Sequence, residues 1–336
     1  MKALVCRKPG ELVFEDRSAP GRPEAGWALI NISHVGICGT DYHIFEGKHP
    51  YLAYPRIMGH ELSGTVAAVG EGVAVELGER VVVNPYFACG KCIACRHDKP
   101  NCCVSIEVLG VHRDGGMCEE LLVPAGNLYP ATGLSLFEAA AVEFLAIGAH
   151  AVRRSKLAAG VRTLVIGAGP IGLGTALFAR IAGQAVTIMD TSRERLDFAE
   201  GLGFPVVDGA SVSPDDLVRQ RTDGDCFDLV FDATGSKASI EAAFAYVAHG
   251  GALIMVSVVK DEISFSDPEF HKREMMLVGS RNALRVDFDH VMEAMRDGAV
   301  PVDKLITHQT TLQDSPHDIS RWAYQKSGLI KAMIAF

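Results

Sequence analysis

Thr163-Leu164-Val165-Ile166-Gly167-Ala168-Gly169-Pro170-Ile171-Gly172 decides the fold. The four residues at its start predict a short apolar strand. The G-x-G-x-x-G run after them predicts a tight turn, and the residues from Pro170 through Arg180 predict a helix. A second apolar strand, residues 185–189, ends at Asp190. In that setting the glycines let the backbone come close to a pyrophosphate at the positive end of the helix. Asp190 is placed to accept from ribose hydroxyls, and its charge repels a 2′-phosphate, which favours NAD over NADP. Arg193 and Arg195 lie nearby and weaken that preference. The cofactor-binding candidates are Gly167, Gly169, Pro170, Ile171, Gly172, Asp190 and Arg195.

Outward from this turn, residues 228–232 and 252–256 are further apolar strands with helical stretches between them, which predicts a parallel sheet covered on both faces. The first part of the chain reads differently. Residues 28–32, 64–69 and 80–83 are short β runs broken by Gly, Pro and charged turns. Residues 136–158 read as helical, with apolar positions at Leu136, Ala140, Phe144, Ile147 and Ala151. After about residue 285 come a helix (288–296) and mixed strands that need not belong to the central sheet.

A chain of 336 residues predicts two domains. With 48% apolar and 22% charged residues it is not a disordered protein. A net charge of −9 argues against nucleic acid as partner, since phosphates need concentrated positive charge. The most apolar windows are interrupted by Glu138, Glu143 or glycines, so no membrane span is expected. The N-terminus has no hydrophobic signal core, which makes a cytoplasmic protein the default. In that compartment the nine cysteines are thiols rather than disulfides.

Their spacing gives four of them a role. Cys89, Cys92, Cys95 and Cys103 follow C-x2-C-x2-C-x7-C, which closes a tetrahedral zinc site with no open position. The competing iron–sulfur pattern has a shorter last gap and Pro after the final Cys, where this chain has Val104. Cys102 would either replace Cys103 or stand by. Cys6, Cys118 and Cys226 are isolated and expected to be small buried hydrophobes. Two scattered pieces, Gly36-Ile37-Cys38-Gly39-Thr40-Asp41 and Gly59-His60-Glu61, add a Cys, a His and carboxylates. In a chain with a cofactor turn and a four-cysteine lobe they suggest a second zinc site with one open position.

These motifs, in this order and over essentially the whole chain, resemble the zinc-dependent medium-chain dehydrogenase/reductase family. Within it they are most similar to the polyol branch: sorbitol, threonine 3- and L-gulonate or L-galactonate 5-dehydrogenases, and a starvation-sensing group. The phrases Ser280-Arg281-Asn282-Ala283 and Asp303-Lys304-Leu305-Ile306-Thr307-His308 look closest to the last of these. The resemblance implies an α/β-plus-β fold. A GroES-like β-barrel catalytic domain would span 1–146, with a structural zinc lobe at 86–103. A Rossmann doubly wound domain would span 147–284, and 285–336 would return to the catalytic domain, with the active site in the cleft between the two. It implies two zinc ions per chain, one catalytic and one structural. Cys38 and His60 would be catalytic ligands, and Asp41 would orient the histidine. Glu61 would be an acid that enters or leaves the zinc shell. Glu143 would take the third position, which the branch fills with Glu; Phe144 stands where the branch usually has Pro. Thr40 and His43 match the family's proton relay.

The reaction implied is reversible oxidation of a secondary alcohol to a ketone, with hydride passing to the nicotinamide. His112 and Arg281 are substrate candidates. A bidentate grip by Arg281 on a carboxylate would favour a sugar acid. The family implies a homo-oligomer, dimer or tetramer. The alternatives are a threonine- or alcohol-type NAD(P) dehydrogenase, an NADPH-linked reductase, or a regulatory protein that binds dinucleotide and zinc with little turnover.

Overall fold

The alternation in Trp27–Ile37 organises the first of two units: Ala28, Ile30 and Ile32 are buried while Asn31 faces water, as a period of two requires. The computed structural model describes residues 1–48, 52–156 and 159–336. It divides into Met1–Glu143 with Val291–Phe336, and Phe144–His290.

In the first unit Trp27–Ile37 pairs antiparallel with Glu61–Val69, Glu120–Pro124 and Lys331–Ala335. The seven-stranded sheet is continued by Arg80–Val83 and Leu128–Pro130 on one side and by Ile306–Thr311 on the other. The core of this unit buries Leu4, Ile30, Leu62, Val81, Val83 and Met117. Each such side chain contributes about 1.5–3 kcal/mol by leaving water. The register sets Gly36 against Glu61 and Ile37 against Ala332, so Cys38, Glu61 and Lys331 gather at one end of three adjacent strands. Gly36 is required there, because a Cβ on it would lie 2.1 Å from Glu61 Oε2.

The second unit is a six-stranded parallel sheet in the order Val206–Asp208, Ala185–Asp190, Arg162–Ile166, Phe227–Asp232, Val247–Met255, Met276–Gly279. Strand order reverses at Arg162–Ile166, so its C-terminal end is the topological switch point at which such sheets take ligands. Helix Pro170–Ile181 starts there, and its residues from Gly172 to Ala179 are buried.

The stretch 136–158 is not one helix. Helix Leu136–Ala140 is capped by a reciprocal pair: Ser135 Oγ accepts from Glu138 N–H (3.2 Å), and the Glu138 carboxylate accepts from Ser135 N–H (2.8 Å). It stops at Ala141, whose N–H turns to the Glu138 carbonyl at 2.9 Å. Helix Val142–Ser155 then begins, and Lys156 ends it with φ 57. Residues 157–158 lie outside the described residues. The helix expected over 288–296 starts three residues earlier, as Arg285–Arg296, because the Asp287 carboxylate accepts from Leu284 N–H at 2.8 Å. Among the described residues no helix is long and apolar enough to cross a membrane.

Candidate active site

Cys38 follows directly on strand Trp27–Ile37 and opens helix Gly39–Phe45; His60 directly precedes strand Glu61–Val69. The Cys38 Sγ, a ring nitrogen of His60 and a Glu61 carboxylate oxygen lie within 4.8 Å of one another. One buried carboxylate fixes both turns: Asp41 accepts from Cys38 N–H through Oδ2 (2.9 Å) and from Gly59 N–H through Oδ1 (3.3 Å). Asp41 Oδ1 also lies 4.0 Å from His60 Nδ1. Glu61 Oε1 is 2.5 Å from the Nζ of Lys331, and both side chains are buried. Thr40 is half-buried, with its hydroxyl 3.8 Å from Cys38 Sγ; His43 is exposed one turn further along the helix.

Glu143, in the first turn of helix Val142–Ser155, stands beside this set. It is buried, and its Oε1 accepts the hydroxyl of the buried Tyr86. Burial pushes the Glu143 carboxyl up to about 7, against the pull of His60; the neighbouring Glu61 adds to the rise. Burial likewise raises Asp41. On His60, burial opposes the charge, but the Cys38 sulfur and the Asp41 and Glu143 carboxylates outweigh it and raise the pKa. These acids and the thiol crowd a site in which the Lys331 ammonium is already paired with Glu61. Among the described residues, His60 Nδ1 and Glu61 Oε2 within it are buried with no hydrogen-bond partner. A largely buried S, N, O donor set with such polar atoms fits a zinc ion.

The second thiol set is also assembled: Cys89, Cys92, Cys95 and Cys103 lie within 4.8 Å of one another. Cys103 is buried in the set and Cys102 is exposed outside it, which decides between them. Cys89 N–H donates to Cys103 Sγ at 3.2 Å, and the Cys92 and Cys95 sulfurs are 3.5 Å apart. Four thiols so close together fit a closed zinc site. Cys6 and Cys118 are buried, and desolvation pushes their thiols up to about 11 and about 12. Cys226 is a correction: it is half-buried, held at φ 68 at the start of a strand.

At the switch point Gly167 has φ 99, and a Cβ on Gly172 would lie 1.7 Å from the Gly167 carbonyl oxygen. Among the described residues Gly169 has nothing within 4 Å of its Cβ position, which leaves room over the start of the helix that Pro170 and the half-buried Ile171 open. Asp190 Oδ2 accepts from Ala168 N–H (2.7 Å) and Oδ1 from Ser192 N–H (2.8 Å). The Arg195 guanidinium is 3.8 Å from Asp190. Arg193 is turned instead to Asp197 and Glu200, each at 2.6 Å.

His112 is exposed, and its Nδ1 accepts from Val108 N–H at 3.1 Å, which closes a local turn. Arg281 is exposed just after strand Met276–Gly279, beside Asn282 at φ 52. Two residues of the site escaped the sequence reading, Tyr86 and Lys331. Their signals were faint: a tyrosine three positions before Cys89, and one lysine opening the apolar run Ala332-Met333-Ile334.

Residues 24–133 match the family of alcohol dehydrogenase GroES-like domains, and residues 170–297 match the zinc-binding dehydrogenase family. The chain is 41% identical over 338 residues to an L-galactonate-5-dehydrogenase of Escherichia coli K12, covering 100% of this chain and 99% of that protein. It is 34% identical over 322 residues to a D-altritol 5-dehydrogenase of Agrobacterium fabrum, covering 94% of each. An alcohol dehydrogenase of E. coli CFT073, solved in complex with NADH, superposes with a TM-score of 0.94 at 29% identity, covering 100% of this chain and 99% of that one.

Proposed function

The chain belongs to the polyol branch of the zinc-dependent medium-chain dehydrogenase/reductase family, and we propose that its substrate is a sugar acid of the L-galactonate or L-gulonate kind. It is an oxidoreductase, a polyol or sugar-acid dehydrogenase with a GroES-like domain and a Rossmann domain, and its cofactors are zinc and NAD. The observation that carries the reading is the donor set of half-buried Cys38 and buried His60 and Glu61 in a chain alike over its full length to an L-galactonate-5-dehydrogenase.

In this reading Cys38, His60 and Glu61, with Glu143 beside them, hold the catalytic zinc, and Cys89, Cys92, Cys95 and Cys103 hold the structural one. When bound, the catalytic zinc is a Lewis acid that lowers the pKa of a substrate hydroxyl. The protein's own part is positioning and proton handling. Asp41 fixes the two turns that carry Cys38 and His60, the kind of outer contact on which ligand geometry depends. The Thr40 hydroxyl takes the proton leaving the substrate as it gives up its own toward the exposed imidazole of His43, which releases it to water. Asp190 keeps acceptor capacity for ribose hydroxyls beyond the two backbone bonds it makes. Arg195 offsets part of its charge, which weakens the preference for NAD over NADP without reversing it. Arg281 takes the substrate carboxylate. The enzyme works in the cytoplasm as a dimer or tetramer. The edge strand Met276–Gly279, with Met276 and Leu277 exposed, is the joining edge.

The test is zinc content paired with NAD+ reduction over a panel of aldonic acids and neutral polyols, on the parent and on Cys38→Ala. About two zinc ions per chain are expected in the parent and about one in the variant, with NADH formed by the parent alone. Arg281→Gln should raise KM for the acids and leave that for sorbitol unchanged. A preference for sorbitol or threonine would reassign Arg281. Two zincs and bound NADH with no turnover on any member of the panel would turn the reading toward a regulatory protein. One zinc in the parent, unchanged in Cys38→Ala, would overturn the catalytic site.

A further inference from the structure

Tyr86 is a buried phenol that the steps above leave without a task. Its hydroxyl donates to Glu143 Oε1. It lies in the two-residue strand Tyr86–Phe87, paired with Glu107–Val108. Its backbone is pinned from both sides. Its N–H donates to Asn84 Oδ1 at 3.1 Å, and its carbonyl accepts from Asn127 Nδ2 at 3.0 Å. Asn127 Nδ2 also donates to the Asn84 carbonyl at 2.8 Å, and Asn84 Nδ2 to the Tyr129 hydroxyl at 2.8 Å. Three residues on, the chain reaches Cys89, the first thiol of the four-cysteine lobe. Tyr86 therefore cannot move without the amide network around it, and Glu143 is bonded to Tyr86.

We propose that Tyr86 is a positioning residue for the catalytic cluster: it commits Glu143 Oε1 to the protein frame and so fixes the orientation of that carboxylate beside Cys38 and His60. The proposal rests on reading Glu143 as part of the zinc site. Two observations argue against a mere packing role. A ring that only filled space would be a phenylalanine, since a buried hydroxyl is costly unless it is met. And the partner that meets it is a buried acid that stands beside the cluster. Carboxylates that serve metals are themselves held by hydrogen bonds, and loss of such a contact typically costs 10–100-fold in metal affinity or activity.

The test is a double-variant cycle of Tyr86→Phe and Glu143→Ala on the full-length, zinc-loaded protein. Two quantities are read: zinc retained against a competing chelator such as dipicolinate, and kcat and KM for the best substrate of the panel. Tyr86→Phe keeps the ring, so the variant should fold, with a melting temperature lowered only by the loss of one hydrogen bond. It should release one of the two zinc ions at roughly tenfold lower chelator concentration and lower kcat by a similar factor. In the Glu143→Ala background the same change should do nothing further. Equal effects of Tyr86→Phe in both backgrounds would assign Tyr86 to packing and overturn the inference while leaving Glu143 in place. A Tyr86→Phe variant that matches the parent, beside a damaged Glu143→Ala, would overturn it as well. If Glu143→Ala itself leaves zinc retention and kcat unchanged, the placement of Glu143 in the zinc site fails, and the role of Tyr86 with it.

Discussion

Lys331 Nζ lies 2.5 Å from Glu61 Oε1, and neither side chain reaches solvent: the lysine is 2% exposed and the glutamate 0%. The pair joins the C-terminal strand Lys331–Ala335 to the strand Glu61–Val69 that follows the candidate ligand His60. Burial alone would lower the lysine's pKa. The charges of Glu61 and Cys38 outweigh burial and raise it, so Lys331 stays cationic. Removing one member of a buried ion pair strands the other. Lys331→Met should therefore destabilise the first unit by about 3–5 kcal/mol. The double variant with Glu61→Gln should recover much of the loss in melting temperature. A single variant whose melting curve overlays the parent's would show that Glu61 has its charge met elsewhere.

The two glycines of the switch-point turn should fail in different ways. Gly169 has open space at its Cβ position and an ordinary φ of −76. Gly169→Ala should fold with the parent's melting temperature and lose NAD affinity by roughly tenfold, about 1.4 kcal/mol, because the new methyl stands where the pyrophosphate must approach. Gly172→Ala would place a carbon 1.7 Å from the Gly167 carbonyl, an overlap only a backbone shift relieves. It should cost about 1–3 kcal/mol of stability. Calorimetry with NAD and melting curves on both variants check the contrast. Equal loss of stability in the two would refute it.

What could be read from the sequence was local. The G-x-G-x-x-G turn and the four-cysteine lobe lie within 6 and 15 residues, and their glycine or thiol spacing states the geometry directly. Cys38 and His60 are 22 positions apart and were linked by the company of the cofactor turn and the four-cysteine lobe, with their roles as ligands coming from the family resemblance. Lys331 and Glu61 are separated by 270 positions, and Tyr86 and Glu143 by 57. No periodicity says which polar residue the closure of a sheet will bring to a given acid. The helix break at Ala141 was hidden for another reason: Ala140, Ala141, Val142 and Glu143 all sit comfortably within a helix. The redirection is set by the capped short helix before it rather than by a helix-breaking residue.

The adjacent thiols Cys102 and Cys103 can be told apart by zinc count. Cys103 is buried in the four-thiol set and Cys102 is exposed beside it. Cys103→Ser should lose about one zinc per chain, and the 86–103 lobe should become sensitive to protease, because a structural site needs all four ligands. Cys102→Ser should keep full metal content and activity. Zinc loss in Cys102→Ser would mean that the neighbouring thiol completes the site.

In the second unit, the acid limb of stability should run through Asp287. Its buried carboxylate lies 2.8 Å from His150 Nδ1 and accepts from Arg153 Nε (2.6 Å) and Nη2 (2.9 Å) and from Leu284 N–H (2.8 Å). Burial opposes its charge, but these bonds outweigh burial and hold the carboxyl below the usual range. A folded-state pKa below the unfolded value of about 3.9 means that the ion binds its proton more readily in the unfolded chain. The stabilisation is therefore present in full above that unfolded value and is lost as pH falls below it, through the folded pKa. Asp287→Asn should lower stability at pH 7 by about 1–3 kcal/mol, the worth of hydrogen bonds to a charged group. It should also flatten the fall in melting temperature between about pH 5 and pH 2.5. Melting curves of parent and variant across that range decide the point. Parallel curves, offset but equally steep, would mean that the acid sensitivity of this unit arises from other carboxylates.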